Sequence, residues 1–278
     1  MKRLNVLNTL WNLFLTSGLQ LLSLLGVIIG VGFLLGFLQN YSRSFIASAF
    51  GNRGFLLTAW IGTPIHEFGH AVMCIVFRHD ITDVQWFPKR STDGHLGYVS
   101  HQYNPHSLYQ RVGNFFIGVA PVLIGIAVLV GGLYLLVPPS YDTLIHYVQT
   151  DVKAEGFTVA MFQKALLAGV VLLKSLWSMD YLISVKFWLF LFLAICISTH
   201  IALSTADIKG ATDGVIAIFI LLIMLNAISI WTPLQANKVI DVLISYNAYV
   251  LAFSSIALLF SVLTCVISFS ISRVRFWS

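Results

Sequence analysis

The chain has 278 residues, 58% of them hydrophobic and only 10% charged, and its mean hydropathy is +0.87; soluble domains carry about 25% charge. This composition excludes a soluble globular protein and predicts an all-α polytopic membrane protein in the cell membrane, surrounded by the lipid bilayer. The net charge of +5 is small and its Lys and Arg are spread out, so no nucleic acid partner is expected and the basic residues are read as setting topology.

In chain order, the start MKRLNVLNTLWNLF has a basic end and no small-residue cleavage site, and reads as a retained anchor region. Apolar runs of about 18 to 25 residues predict six transmembrane helices, near 17–38, 54–77, 112–137, 184–205, 214–232 and 247–271. The segment 159–177, with Lys164 and Lys174, is read as an interfacial or re-entrant helix. Between the second and third spans, HDITDVQWFPKRSTDGHLGYVSHQYNPH alternates around a Thr-Asp-Gly turn and predicts a small β-hairpin against the membrane. Basic residues at both ends, and Arg78, Lys89, Arg90 and Arg111 around the hairpin, place both termini, the hairpin and a short 206–213 turn in the cytoplasm, with 138–183 outside. No long repeat divides the chain, so 1–278 is expected to form one membrane domain. Cys74, Cys196 and Cys265 lie in apolar runs without paired spacing, which implies neither a disulfide framework nor a thiolate metal site.

The second expected span contains HEFGH. His66 and His70 are one helical turn apart, so both imidazoles project from one face and can grip one zinc ion, and Glu67 stands beside it as general base. Ionisable groups at membrane depth cost about 2.5 to 3.5 kcal/mol each on insertion scales and are seldom kept without a partner or a task. Pro64 and Gly69 loosen the same helix where water must reach an ion.

A third ligand is needed. The pattern with a further Gly and His is excluded because Met73 and Val76 stand at those places. Glu155, the only glutamate besides Glu67, lies in a polar connection away from the spans. Two aspartates remain in ICISTHIALSTADIKGATDGVIAIF, Asp207 and Asp213, of which Asp207 is favoured because it follows the break at the end of a span, where irregular backbone can line a cavity.

With HEFGH on one helix and an aspartate on another, residues 54 to 215 resemble the site-2 protease family of intramembrane zinc metalloproteases. The resemblance implies His66, His70 and Asp207 on the metal, a protease-like core of 54–215 with C-terminal helices 214–271, and a membrane-protein substrate cut within or beside a transmembrane segment. The family's usual Asp-Gly is matched better by Asp213–Gly214, while the approach through His200 and LSTA points to Asp207. On the middle core helix Ala120–Pro121 stands where the family often has Gly-Pro, and Asn114 is displaced upstream, as in a distant branch.

The other polar residues receive plainer readings. His95, His101 and His106 are expected at the surface or rim of the hairpin region instead of forming a second metal site. His200 is read as a helix-contact histidine before an active-site wall. The end SRVRFWS reads as an interfacial anchor. Two rivals stand beside the protease: a catalytically silent relative that binds or chaperones membrane proteins, against which an intact Glu67 counts, and a transporter, for which inverted repeats and several broken helices would be expected.

Overall fold

The computed structural model describes residues 2–87, 96–152, 158–232 and 236–276. Helix α1, Lys2–Val76, is broken once, at Gly51 with φ 67° and ψ −171°, a conformation that glycine adopts without the Cβ clash other residues meet. The break divides α1 into two arms, the second of which carries HEFGH. A short hairpin follows, β1 (Asp80–Gln85) and β2 (Tyr98–Gln102), antiparallel with Asp80 opposite Gln102 and Gln85 opposite Tyr98, and a register shift between Ile81 and Asp83. The Thr-Asp-Gly turn expected between the strands, together with His95, lies outside the described residues.

The rest is helical: α2 (Leu108–Leu136), α3 (Pro138–Tyr147) running into a π turn at Val148–Val152, α4 (Val159–Leu176), α5 (Met179–Leu182), α6 (Val185–Ser198), α7 (Thr205–Trp231), α8 (Ala236–Ser245) and α9 (Asn247–Phe276). Among the described residues, five stretches are long and apolar enough to cross a membrane: Leu7–Gly51, Leu108–Leu136, Val159–Leu176, Thr205–Ile230 and Asn237–Arg273. The set differs from the six expected segments in physically distinct ways. The 54–77 arm is absent from it because its two histidines and glutamate dilute the apolar run. Helix α6 has 14 residues, about 21 Å, short of a bilayer core of about 30 Å, and the chain beyond Ser198 is not helical until Thr205. In contrast, α4, expected at the interface, has both the length and the hydropathy.

A second correction concerns the turn expected at 206–213, which is instead the first two turns of α7. Ser204 and Asp207 explain the early start: the Ser204 hydroxyl accepts from the Asp207 N–H at 3.1 Å and the Asp207 carboxylate accepts from the Ser204 N–H at 2.7 Å. Such a reciprocal capping box satisfies two donors that a helix start leaves bare.

Large apolar side chains cover the outside, among them Leu19, Leu22, Trp60, Phe68 and Val185, an exterior suited to lipid. Helices in lipid gain little from hydrophobic association and are held by close approach at small residues. The contacts are visible where a glycine leaves no room for a Cβ. Gly69 lies against the backbone of Ala120 and Pro121, Gly113 against Phe77, Gly62 against Cys196 and His200, and Gly118 and Gly214 against α7 and α2 respectively. The same contacts fix direction: Phe190 sits beside Gly132 and Ile201 beside Gly125, so α6 runs antiparallel to α2, as does the second arm of α1. Both therefore deliver residues to one level of α2.

Candidate metal centre

That level holds His66, His70 and Asp207, whose ligand atoms lie within 4.8 Å of one another, a cluster found once among the described residues. The i, i+4 spacing on α1 brings His66 Nε2 and His70 Nε2 to 3.2 Å. The Asp207 carboxylate straddles the pair, Oδ1 at 3.2 Å from His70 Nε2 and Oδ2 at 3.6 Å from His66 Nε2. The capping box that starts α7 is thus also what aims this aspartate, since Oδ2 is held by the Ser204 N–H.

The imidazoles are fixed from behind. His70 Nδ1 donates to the Ile117 carbonyl at 2.8 Å and His66 Nδ1 to the His200 carbonyl at 2.7 Å. A carbonyl accepts only, so both Nδ1 atoms carry hydrogen, and in the neutral ring each Nε2 then presents a lone pair, the arrangement by which backbone acceptors orient histidine ligands. Both carbonyls are spare for a reason written in the sequence. In an α-helix the Ile117 carbonyl would accept from residue 121, but residue 121 is Pro and has no N–H. His200 lies past the end of α6, where carbonyls have no helical partner. Gly69 and Gly62 supply the proximity: a Cβ at 69 would stand 3.0 Å from the Ala120 carbonyl oxygen, and one at 62 only 2.5 Å from the His200 Cβ.

The donor set fits a tetrahedral cation. Ligands at 2.0–2.1 Å from zinc are separated from one another by about 3.3 Å, close to the 3.2, 3.2 and 3.6 Å between these atoms. With both Nδ1 hydrogens committed, the neutral form of the two rings and the carboxylate turn acceptor electrons toward a common centre, a set that a proton or a metal cation satisfies.

Asp213, the other candidate ligand, is engaged elsewhere. Arg111 holds it through Nη2 at 2.7 Å and Nε at 3.1 Å, and Asn114 Nδ2 and the Tyr103 hydroxyl donate to it at 3.1 and 3.4 Å. This network ties α7 to the start of α2 and to the chain leaving β2.

Glu67, 6% exposed, lines a cavity of about 500 Å³ together with His66, His70, Asp207, Tyr98 and Arg43. Gly97, just before β2, lies over it: a Cβ there would meet Gln85 O at 2.7 Å, Thr63 Cγ2 at 2.8 Å and Glu67 Cγ at 2.9 Å. His200 combines both roles weighed for it. Its ring pairs with Thr58 Oγ1 at 3.0 Å and borders the cavity, while its carbonyl holds His66.

The hairpin histidines separate. His106 is exposed, with its N–H donating to Asn104. His101 faces inward and also lines the cavity, paired at 3.0 Å with His79, a residue the sequence reading passed over. His79 Nε2 donates to the Gln110 carbonyl at 2.9 Å, so its Nδ1 accepts and His101 Nδ1 donates. Burial, with His79 and His70 nearby, pushes the His101 pKa down to about 4.

No family model, curated protein or solved structure matches the chain. Its function must be argued from the residues themselves.

Proposed function

We propose that this chain is a zinc-dependent intramembrane endopeptidase of site-2-protease type, acting on membrane proteins within or beside a transmembrane segment. The observation that carries the reading is the convergence of three acceptors, His66 Nε2, His70 Nε2 and an Asp207 carboxylate oxygen, with both histidine tautomers set by backbone carbonyls and a glutamate in the same cavity wall. Ile117, at the level of the cluster, is nine residues along α2 from Leu108, about 14 Å. With the hairpin at the membrane surface, the cluster lies within the bilayer core. We place the hairpin and both termini on the cytoplasmic face, with six crossings if the second arm of α1 and the α6 segment are counted and α4 is not.

His66, His70 and Asp207 would hold the ion. Zinc in such a site supplies Lewis-acid polarisation of a carbonyl and lowers the pKa of a water molecule. Glu67 takes the proton from the attacking water as the carbon–oxygen bond forms, and returns it to the amine nitrogen as the peptide C–N bond breaks. The hairpin offers strand edges to a substrate segment that has left its helix.

The deciding experiment compares purified wild type with Glu67→Gln, Asp207→Ala and Asp213→Ala, measuring zinc per chain and cleavage of a membrane-helix reporter. Glu67→Gln is expected to keep one zinc and lose cleavage, Asp207→Ala to lose both, and Asp213→Ala to keep the metal. Zinc bound without any cleavage by wild type would replace this reading with that of a silent, membrane-protein-binding relative. Loss of metal from Asp213→Ala alone would overturn the ligand assignment.

A further inference from the structure

Among the described residues, four buried side-chain oxygens have no hydrogen-bond partner: Gln39 Oε1, Ser42 Oγ, Thr63 Oγ1 and Ser140 Oγ. Two of the four belong to the wall of the cavity, Gln39 and Thr63. Thr63 is 4% exposed and sits one helical turn before Glu67, on the same face of the second arm of α1. Its isolation is unusual within this chain. Thr212, Thr232, Ser254 and Thr264 all give their hydroxyl to the carbonyl four residues back, the ordinary refuge of a helical Ser or Thr. Gln39 stands on the first arm, one turn before Arg43, which lines the same cavity.

Buried polar groups are almost always paired, and one that is not calls for an explanation. What covers Thr63 suggests it. A Cβ on Gly97 would stand 2.8 Å from the Thr63 methyl and 2.9 Å from Glu67 Cγ, so the Gly97 backbone lies close over both, and the neighbouring Leu96 carbonyl accepts from Gln85 Nε2 at a long 3.5 Å. Thr63 and Gln39 line one cavity with these two oxygens sealed from solvent, and once uncovered a hydroxyl donor and an amide acceptor match a neutral ligand that offers one acceptor and one donor. A peptide unit freed from its helix is that ligand, since its own C=O and N–H have just lost their partners.

We infer that Thr63 Oγ1 and Gln39 Oε1 bind one extended peptide unit of the substrate, the hydroxyl donating to its carbonyl and the amide oxygen accepting from its N–H, after the Leu96–Gly97 segment lifts from Glu67. This rests on the peptidase reading for the identity of the occupant. It assigns the two residues to substrate binding, apart from the metal.

The test uses full-length protein with Glu67→Gln to prevent turnover, in lipid nanodiscs, and a fluorescent synthetic transmembrane peptide of Leu and Ala with a central Gly-Pro. Adding Thr63→Val or Gln39→Met is expected to weaken peptide binding about tenfold, as for a lost hydrogen bond of about 1.4 kcal/mol. Thr63→Ser should stay within about twofold of the parent because the hydroxyl remains. Without peptide, Thr63→Val should unfold no earlier than the parent, since it removes a hydroxyl that has no partner. Unchanged binding by Thr63→Val, binding by Thr63→Ser as weak as by Thr63→Val, or no binding by the parent overturns the inference. Cleavage by the wild type is read separately: intact binding without cleavage sinks the endopeptidase and leaves the docking pair standing.

Discussion

Pro121 acts through the backbone on His70, one of the proposed metal ligands. By lacking an N–H it frees the Ile117 carbonyl for His70 Nδ1, so Pro121→Ala should return that carbonyl to the helix ladder and leave the imidazole less firmly held. Loss of such an outer partner typically costs 10- to 100-fold in metal affinity. Competition with a zinc chelator should therefore show weaker zinc binding by about that factor in a protein whose helical content is unchanged; equal affinity would mean that Gly69 packing alone positions the ring. His101 makes a prediction in pH. Its folded pKa of about 4 lies below the ordinary value near 6.5, so the folded state favours the neutral ring that donates to His79. The stability from this pair is complete above pH 6.5 and is lost as pH falls toward 4. Thermal unfolding measured with excess chelator, which removes metal release from the readout, should drop over that window. His101→Gln should flatten the drop.

The hairpin and the helix starts act as whole elements upon the site. Gly97 is the point where the hairpin touches α1, and a methyl group there would have to displace Gln85 O, Thr63 or Glu67. Because a misplacement of about 1 Å can cost on the order of 100-fold in rate, Gly97→Ala is expected to lower reporter cleavage by about that much while zinc content stays at the wild-type level. A variant that cuts normally would show that the segment yields without moving Glu67. The elements also divide what the sequence could reveal from what it could not. HEFGH was legible because helical periodicity alone puts His66 and His70 on one face. The hairpin was legible from alternation, and Asp207 as one of two aspartates near a span, preferred to Asp213 because it follows the break at the end of one. The Ser-Thr-Ala-Asp start of α7 was present in the sequence as a capping box, yet the apolar run beginning at Val215 masked it. The roles of Ile117, His200 and Pro121 were out of reach, because they depend on backbone carbonyls of α2 and of the chain after α6 meeting α1 across glycine contacts that no single segment encodes.

At the scale of the whole molecule, hydropathy found the apolar segments but not their geometry, since a bilayer-length window cannot see a bend at Gly51 or a helix that stops at Ser198. The packing supplies a directional check that hydropathy lacks. Helix α2 has 29 residues, about 44 Å, longer than a bilayer core of about 30 Å. His106 lies just before its first turn, whereas Phe190 of α6 sits beside Gly132 near its last. Val185, five residues earlier on the antiparallel α6 and 82% exposed, therefore belongs at the far end of α2. If α2 crosses the membrane, His106 and Val185 face opposite compartments. In a background lacking Cys74, Cys196 and Cys265, a membrane-impermeant maleimide added to intact cells should label Val185→Cys and spare His106→Cys until the membrane is opened. The reverse pattern would invert the positive-inside assignment and put the cavity toward the exterior. Labelling of both from one side would mean that α2 lies along the membrane, leaving the metal cluster at its surface, where a substrate would have no transmembrane helix to unwind.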